Sequence, residues 1–239
     1  MKNIALLIAG GSGNRMGQSI PKQFLTVNEK PVIIYTLEAF EKHPEIDEIA
    51  VVCIDGWQSM LQAYANQFGI TKLSYIVPGG KNGQDSIRNG VFELEKLFSP
   101  EDIVLIHDAI RPLVTAEIIT DCIRVTREKG NAITVIPCAE AMIETENAEE
   151  STGSYPREKL KRAQTPQGFH IGDIAELHRR ALEKGITNSV ASCTLMIEMG
   201  KKVYFSRGSE KNIKLTTIED LDIFKALLMS KRSEWLRNS

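Results

Sequence analysis

The sequence predicts a single α/β domain over residues 1 to 239, built on a mostly parallel, twisted sheet with helices on both faces. Three observations carry this prediction. The first apolar run, Ile4 to Ala9, breaks directly into a glycine-rich turn. Short buried-strand runs then alternate with segments whose apolar residues recur at helical spacing, the rhythm of strands joined by crossover helices. At 239 residues and 42% hydrophobic content, the chain can also bury one good core without a second module.

Each element follows in order. After the opening turn, Ile33, Leu37 and Phe40 share a helical face, and EIAVVCI (48 to 54) reads as a buried strand. Trp57, Leu61, Tyr64 and Phe68 mark a second helix, LSYIV (73 to 77) a strand, and the segment from Asn82 a helix with Ile87, Val91, Leu94 and Phe98 on one side. IVLIH (103 to 107) is again strand-like, Ile119, Cys122, Ile123 and Thr126 mark another helix, and AITVIPC (132 to 138) closes the regular alternation. The polar stretch 139 to 163, with Gly153 and Pro156, shows no sustained helical stripe and is too long for an ordinary connection, so it predicts a protruding excursion or a disordered loop. Helical spacing resumes at Ile174, Leu177 and Ala181, followed by the run VASCTLMIEM (190 to 199). A strand KVYFS (202 to 206) and a terminal helix from about Thr217 complete the chain, with Thr217 and Asp220 spaced as a capping pair.

Composition narrows the function classes. Twenty-nine basic and 31 acidic residues leave a net charge of −2, so no global field draws nucleic acid or an anionic membrane, and any phosphate binding must come from a local cluster. Four widely spaced cysteines, Cys53, Cys122, Cys138 and Cys193, form no CxxC pair and suit buried thiols in a reducing compartment. The apolar stretch from Ile4 to Ala9 is too short for a signal-peptide core, and no later window reaches the length of a membrane span. The expectation is a soluble, cytoplasmic protein.

The opening turn is where the chemistry begins. Gly10, Gly11 and Gly13 let backbone amides approach a polyphosphate, and Arg15 and Lys22 follow at fixed reach, so the segment reads as a nucleoside triphosphate site. It is not a Walker loop, since no Lys follows Gly17. It is not a dinucleotide fingerprint either, since Met16 stands where the last glycine belongs. The bland alternative is a tight strand-to-helix turn. Four further segments fall near predicted strand ends: Pro78 to Ser86, with Gly80 and Ser86; His107 to Pro112; Arg157 through Gln167; and Lys211 to Thr217. Asp108, at the carboxyl end of a central strand, is placed to hold a phosphate-bound Mg²⁺, with a turn cap as its alternative. Arg111 could equally be its ion-pair partner, and Lys214 either neutralises phosphate or snorkels at a sheet edge.

Taken in order, GGSGNRMG…PKQFL, GG…DS, HDAIRP, QTPQ.F and NIKLTT resemble the cytidylyltransferases that act on 2-C-methyl-D-erythritol 4-phosphate and their relatives that act on ribitol 5-phosphate, along nearly the whole chain. The resemblance implies a Rossmann-like nucleotidyltransferase domain that uses CTP with Mg²⁺, releases pyrophosphate and works as a homodimer. The excursion at 139 to 163 would then be an extended dimerisation arm that lends residues to the partner's site. Carried onto this sequence, Arg15, Lys22 and Lys214 would act on the reacting phosphates. Ala9, Gly10, Gly11, Gly13, Gly80 and Ser86 would bind CTP, and Asp108 would hold Mg²⁺. Arg157, Arg111 and Glu140 would face the acceptor.

The departures concentrate on the acceptor half. Gly83 stands where the family usually has Arg, Glu140 and Ala141 replace its Asp-Thr, and Val190 to Cys193 replace its Thr-Asp-(Asp/Glu)-Ala or Ser-Asp-Ala run. The expected reaction is transfer of CMP from CTP to an alditol phosphate, such as ribitol 5-phosphate or another polyol phosphate serving a surface polysaccharide. Methylerythritol phosphate, of isoprenoid synthesis, is the alternative. Competing readings are a nucleotidyltransferase taking another NTP with a sugar 1-phosphate and a non-catalytic nucleotide-binding relative. Nucleic-acid binding has only the basic cluster from Arg157 to Arg162 behind it.

Overall fold

The computed structural model describes residues 1–11 and 20–237, with side chains as far as Ser230. Its main sheet has seven strands. β1 (Asn3–Ala9) lies in its interior, flanked by β4 (Glu48–Cys53) and the central β6 (Ile103–Asp108), with β5 (Leu73–Pro78) at one edge. On the other side come β10 (Lys161–His170), β7 (Asn131–Pro137) and the edge strand β11 (Phe205–Arg207). All neighbours run parallel except β10, which is antiparallel to both β6 and β7. The expectation of a mostly parallel α/β sheet holds.

Alternation along the strands sends side chains into two cores. Ala5, Leu7 and Ala9 face a layer formed by α1 (Val32–Glu41), α2 (Gln58–Gln67) and α4 (Ala116–Lys129), where Leu37, Phe40, Leu61, Ile119 and Ile123 are fully buried. Ile4 and Leu6 face the opposite layer, α3 (Gly83–Leu97), α5 (Ile171–Glu183) and α6 (Ser192–Glu198), through Val91, Leu94, Ile174, Ala175 and Leu195. Helices thus cover both faces, as a parallel sheet requires. A third cluster docks α7 (Ile218–Arg237) through Phe224 against Val27, Val32, Ile110, Leu113 and Leu215; Val27 belongs to a small ribbon of β2 (Thr26–Val27) and β3 (Lys30–Pro31).

Two elements differ from the sequence reading. β10 was not expected, because a polar run with a proline in its middle reads as loop. The strand tolerates Pro166 through an irregularity between Ala163 and Gln167 that lifts it out of the ladder. The last strand is shorter and later than KVYFS: Asn131 takes the place of ladder bonds there, accepting from the Tyr204 N–H (3.0 Å) and donating to the Lys202 carbonyl (3.1 Å). The excursion forms a separate hairpin of β8 (Met142–Glu144) and β9 (Gly153–Tyr155), exposing Met142, Ile143 and Tyr155. All four cysteines are free and buried, and among the described residues no helix is long and apolar enough to cross a membrane.

Candidate active site

The order of the strands fixes where a ligand can sit. From β1 the chain first builds outward through β4 and β5, then returns to place β6 on the other side of β1. A crevice opens at the carboxyl ends where the direction reverses. Register brings Ile8 opposite Asp108 and Ala9 opposite Cys53, so the opening turn and the Asp108 carboxylate border that crevice. A cavity of about 520 Å³ lies there. Ala9, Gly10, Gly11, Gly80, Ser86, Lys22, Asp108 and Lys214 all line it. Gly13 and Arg15 lie outside the described residues.

Close backbone packing shapes its floor. A Cβ on Gly10 would come within 2.8 Å of Ser86 Oγ, and one on Gly80 within 2.4 Å of Asp85 Cβ, so both positions need the missing side chain. Ser86 works inside the loop: its hydroxyl accepts from the Gly80 N–H (3.0 Å) and donates to the Asn82 carbonyl (2.9 Å). Asn82 caps α3 by accepting from the Asp85 N–H at 2.9 Å. At Asn82 to Gln84 the loop is held from the side of residues 186 to 189. Asn82 donates to the Thr187 carbonyl, Gln84 donates to the Ile186 carbonyl, and Gln84 accepts from the Ser189 N–H at 2.6 Å. Sequence reasoning gave Gln23 no role; its buried amide donates to the Ala9 and Gly11 carbonyls at 2.8 and 3.1 Å, tying down the end of β1.

Asp108 is the electrostatic centre. Arg111 Nε stands 3.0 Å from one carboxylate oxygen and Lys214 Nζ 3.1 Å from the other. Burial pushes the carboxyl pKa up, but the Lys214 and Arg111 charges outweigh it and hold the group below its ordinary value. Arg111 also donates to the Asn212 carbonyl, while the Asn212 amide donates to the Thr165 carbonyl and the Asp108 N–H donates to Thr165 Oγ1. The 108 to 112, 164 to 167 and 211 to 215 segments are therefore one hydrogen-bonded unit. Lys214 does not lie in a strand; the Leu215 N–H donates to the Ile110 carbonyl (2.9 Å), and Leu215 is buried beside α7. The expected cap appears there, with the Thr217 N–H donating to Asp220 and the Asp220 N–H donating back to Thr217 Oγ1. His107 is fully buried, packs edge to face on Phe40, and is pushed down to about 4 by burial, so its ring is neutral near pH 7.

A second cavity of about 310 Å³ adjoins the first and shares Ile8, Gly83, Asp108 and Lys214 with it. Its own walls come from Arg111, from the β10 irregularity (Gln164, Thr165, Gln167) and from Val190 to Thr194. Arg111 is thus both ion-pair partner and cavity wall. Arg157 and Glu140 line neither cavity: Arg157 donates to the Ala139 carbonyl at the base of the hairpin, and Glu140 lies 3.7 Å from Arg162. The residues missed from sequence, Gln164, Gln167 and Asn212, sat inside the recognised motifs, but their roles arise only from contacts between distant segments.

Among the described residues no three His, Cys, Asp or Glu side chains gather to hold a metal. A cation at this cleft would have one protein carboxylate, Asp108. That donor set suits Mg²⁺, which binds through one or two carboxylates and completes its shell with water and phosphate oxygens.

Comparison with known proteins gives concordant matches. A family model described as "IspD: 2-C-methyl-D-erythritol 4-phosphate cytidylyltransferase" matches residues 3–230. A ribitol-5-phosphate cytidylyltransferase of Lacticaseibacillus paracasei is 44% identical over 230 residues, covering 95% of this chain and 98% of the relative. A 2-C-methyl-D-erythritol 4-phosphate cytidylyltransferase of Clostridium botulinum is 40% identical over 95% of this chain and 97% of its own length. A solved 4-diphosphocytidyl-2C-methyl-D-erythritol synthase superposes with a TM-score of 0.79 at 25% identity, covering 95% of this chain and 98% of that one.

Proposed function

Since the chain belongs to the IspD family and is therefore a cytidylyltransferase, we propose that it transfers CMP from CTP to ribitol 5-phosphate, releasing pyrophosphate. The observation that carries this reading is the pair of adjoining cavities with Asp108 and Lys214 in their shared wall. The larger, floored by glycines, suits the nucleotide; the smaller suits a short polyol phosphate. The ribitol-5-phosphate relative supports that acceptor. Methylerythritol phosphate is the second reading, supported by the Clostridium relative.

The chemistry follows from the inventory. The acceptor's phosphate is already an anionic nucleophile, so no general base is needed. One of its oxygens forms a bond to the α-phosphorus of CTP as the bond from that phosphorus to the bridging oxygen breaks, and the electron pair leaves with pyrophosphate. Lys22 and Lys214 neutralise charge on the phosphates, and the amides of the glycine turn position the triphosphate. The family's Arg15 joins them by resemblance. Asp108, kept ionised by its two cations, would hold Mg²⁺, which would supply charge neutralisation on the polyphosphate. His107, buried and neutral, holds the Arg111 carbonyl and takes no proton in the reaction.

The hairpin from β8 to β9 would clasp a second copy of the chain and bring Arg157 and Glu140 to the partner's acceptor cavity. Its exposed Met142, Ile143 and Tyr155, together with the fact that Arg157 lines neither cavity of its own chain, support that arrangement. CTP use and four free thiols are consistent with a cytoplasmic enzyme. The test is pyrophosphate release from CTP with a panel of polyol phosphates. Turnover of ribitol 5-phosphate well above the rest supports the reading, and turnover of methylerythritol phosphate alone overturns it.

A further inference from the structure

Ser192 opens α6 and lines the smaller cavity. It is 3% exposed, and its Oγ is buried with no hydrogen-bond partner among the described residues. Native interiors leave few such groups, because a buried hydroxyl without a partner has lost water and gained nothing. Its neighbours on the wall are satisfied within the protein. Thr194 Oγ1 donates to the Ala191 carbonyl and accepts from the Ala191 N–H. Gln167 accepts from the Cys193 N–H at 3.0 Å and donates to the Gln164 carbonyl. His107 Nδ1 also lacks a partner, but that ring packs on Phe40 in the opposite core layer.

The lining around Ser192 is otherwise uncharged, with Ile87, Val190, Ala191 and Cys193, while the charges of the cavity belong to Asp108, Arg111 and Lys214. An acceptor with a phosphate at one end and neutral hydroxyls along its chain matches that division. A serine hydroxyl both donates and accepts, so it can pair with a polyol hydroxyl in either sense, and the uncharged lining beside it favours that end of the acceptor over the phosphate. We propose that Ser192 Oγ hydrogen-bonds a chain hydroxyl of the acceptor polyol and so determines acceptor specificity. This rests on the reading that the smaller cavity receives the acceptor.

The test compares wild type, Ser192→Ala and Ser192→Thr in pyrophosphate release from CTP and ribitol 5-phosphate, with thermal unfolding of each. Ser192→Ala should raise the KM for ribitol 5-phosphate about tenfold, the size expected for one good hydrogen bond. It should leave the KM for CTP unchanged and keep or raise the unfolding temperature. Ser192→Thr, which retains the hydroxyl, should show a smaller rise in the KM for ribitol 5-phosphate than Ser192→Ala. An Ala variant with a wild-type acceptor KM, or one that loses CTP and acceptor affinity alike, overturns the proposal. If wild type turns over only 2-C-methyl-D-erythritol 4-phosphate, the ribitol reading fails by itself. The same comparison is then made with that acceptor, where the same KM rise supports the role of Ser192 and its absence refutes it.

Discussion

Lys214 Nζ stands 3.1 Å from Asp108 Oδ1, joining the carboxyl end of β6 to an extended segment that is anchored by α7. The lysine is 43% exposed, so the pair adds little to stability and the proposed role of Lys214 is in charge neutralisation. Lys214→Ala should fold with a near wild-type unfolding temperature and lose ~10²-fold in kcat, as expected when one preorganised cation is removed. Steady-state pyrophosphate release measures this, and an unchanged kcat would remove Lys214 from the reaction.

Asp108→Asn keeps the shape of the carboxylate and deletes its charge, leaving Arg111 and Lys214 without their partner. Turnover should fall ~10²-fold or more, and the Mg²⁺ concentration needed for half-maximal rate should rise. In wild type, the two cations keep Asp108 ionised below the ordinary carboxyl value of 3.8, so its own protonation should give no loss of rate between pH 5 and 8. Mg²⁺ titrations of both proteins across that range provide the measurement.

Gly80→Ala would set a methyl group 2.4 Å from Asp85 Cβ and 2.7 Å from the Ser86 nitrogen, and the backbone cannot yield there without moving the loop. The KM for CTP should rise by about tenfold or more, with a smaller change for the acceptor. Equal changes for both substrates would place the loop outside the nucleotide half.

Gln23→Glu should be more damaging than Gln23→Ala. Alanine leaves two carbonyls short of one donor, whereas glutamate turns a carboxylate toward the Ala9 and Gly11 oxygens in a buried setting. The alanine variant should lose about 1–3 kcal/mol in urea unfolding and the glutamate variant more. The reverse order would show that the amide does not hold the turn.

His178 is 1% exposed, with Arg88 nearby, and burial together with that charge pushes its pKa down to about 4 from 6.5. The folded ring stays neutral while the unfolded ring takes up a proton, so its contribution is complete above pH 6.5 and is lost as pH falls toward 4. The loss across that window is roughly 3 kcal/mol. Urea unfolding at pH 7 and pH 4.5 should show the slope in wild type and a flatter one in His178→Leu.

Much of the lining of the larger cavity was legible in the sequence, because its signals are local. The glycines after Ile4 to Ala9, the helical face that begins at Asn82 and Asp108 at the end of IVLIH each follow from a few nearby residues. β10 was hidden because pairing on either side of Gln164 to Pro166, and not propensity, makes this polar run a strand. The Asn212 links to Thr165 and Arg111 were hidden because nothing near Asn212 in the chain announces them. The run Val190 to Cys193 marks the region in the sequence, but that the Ser192 hydroxyl is buried without a partner among the described residues follows from packing alone.

The reversed strand β10 divides the labour of the cleft between two stretches of the gene. Residues up to about 110 supply the glycine floor, while the bulge at 163 to 167 and the start of α6 supply walls that belong to the smaller cavity alone. Substitutions in that later stretch change the smaller cavity and leave the glycine floor as it is. The fold can thus reshape one cavity by exchanging one wall.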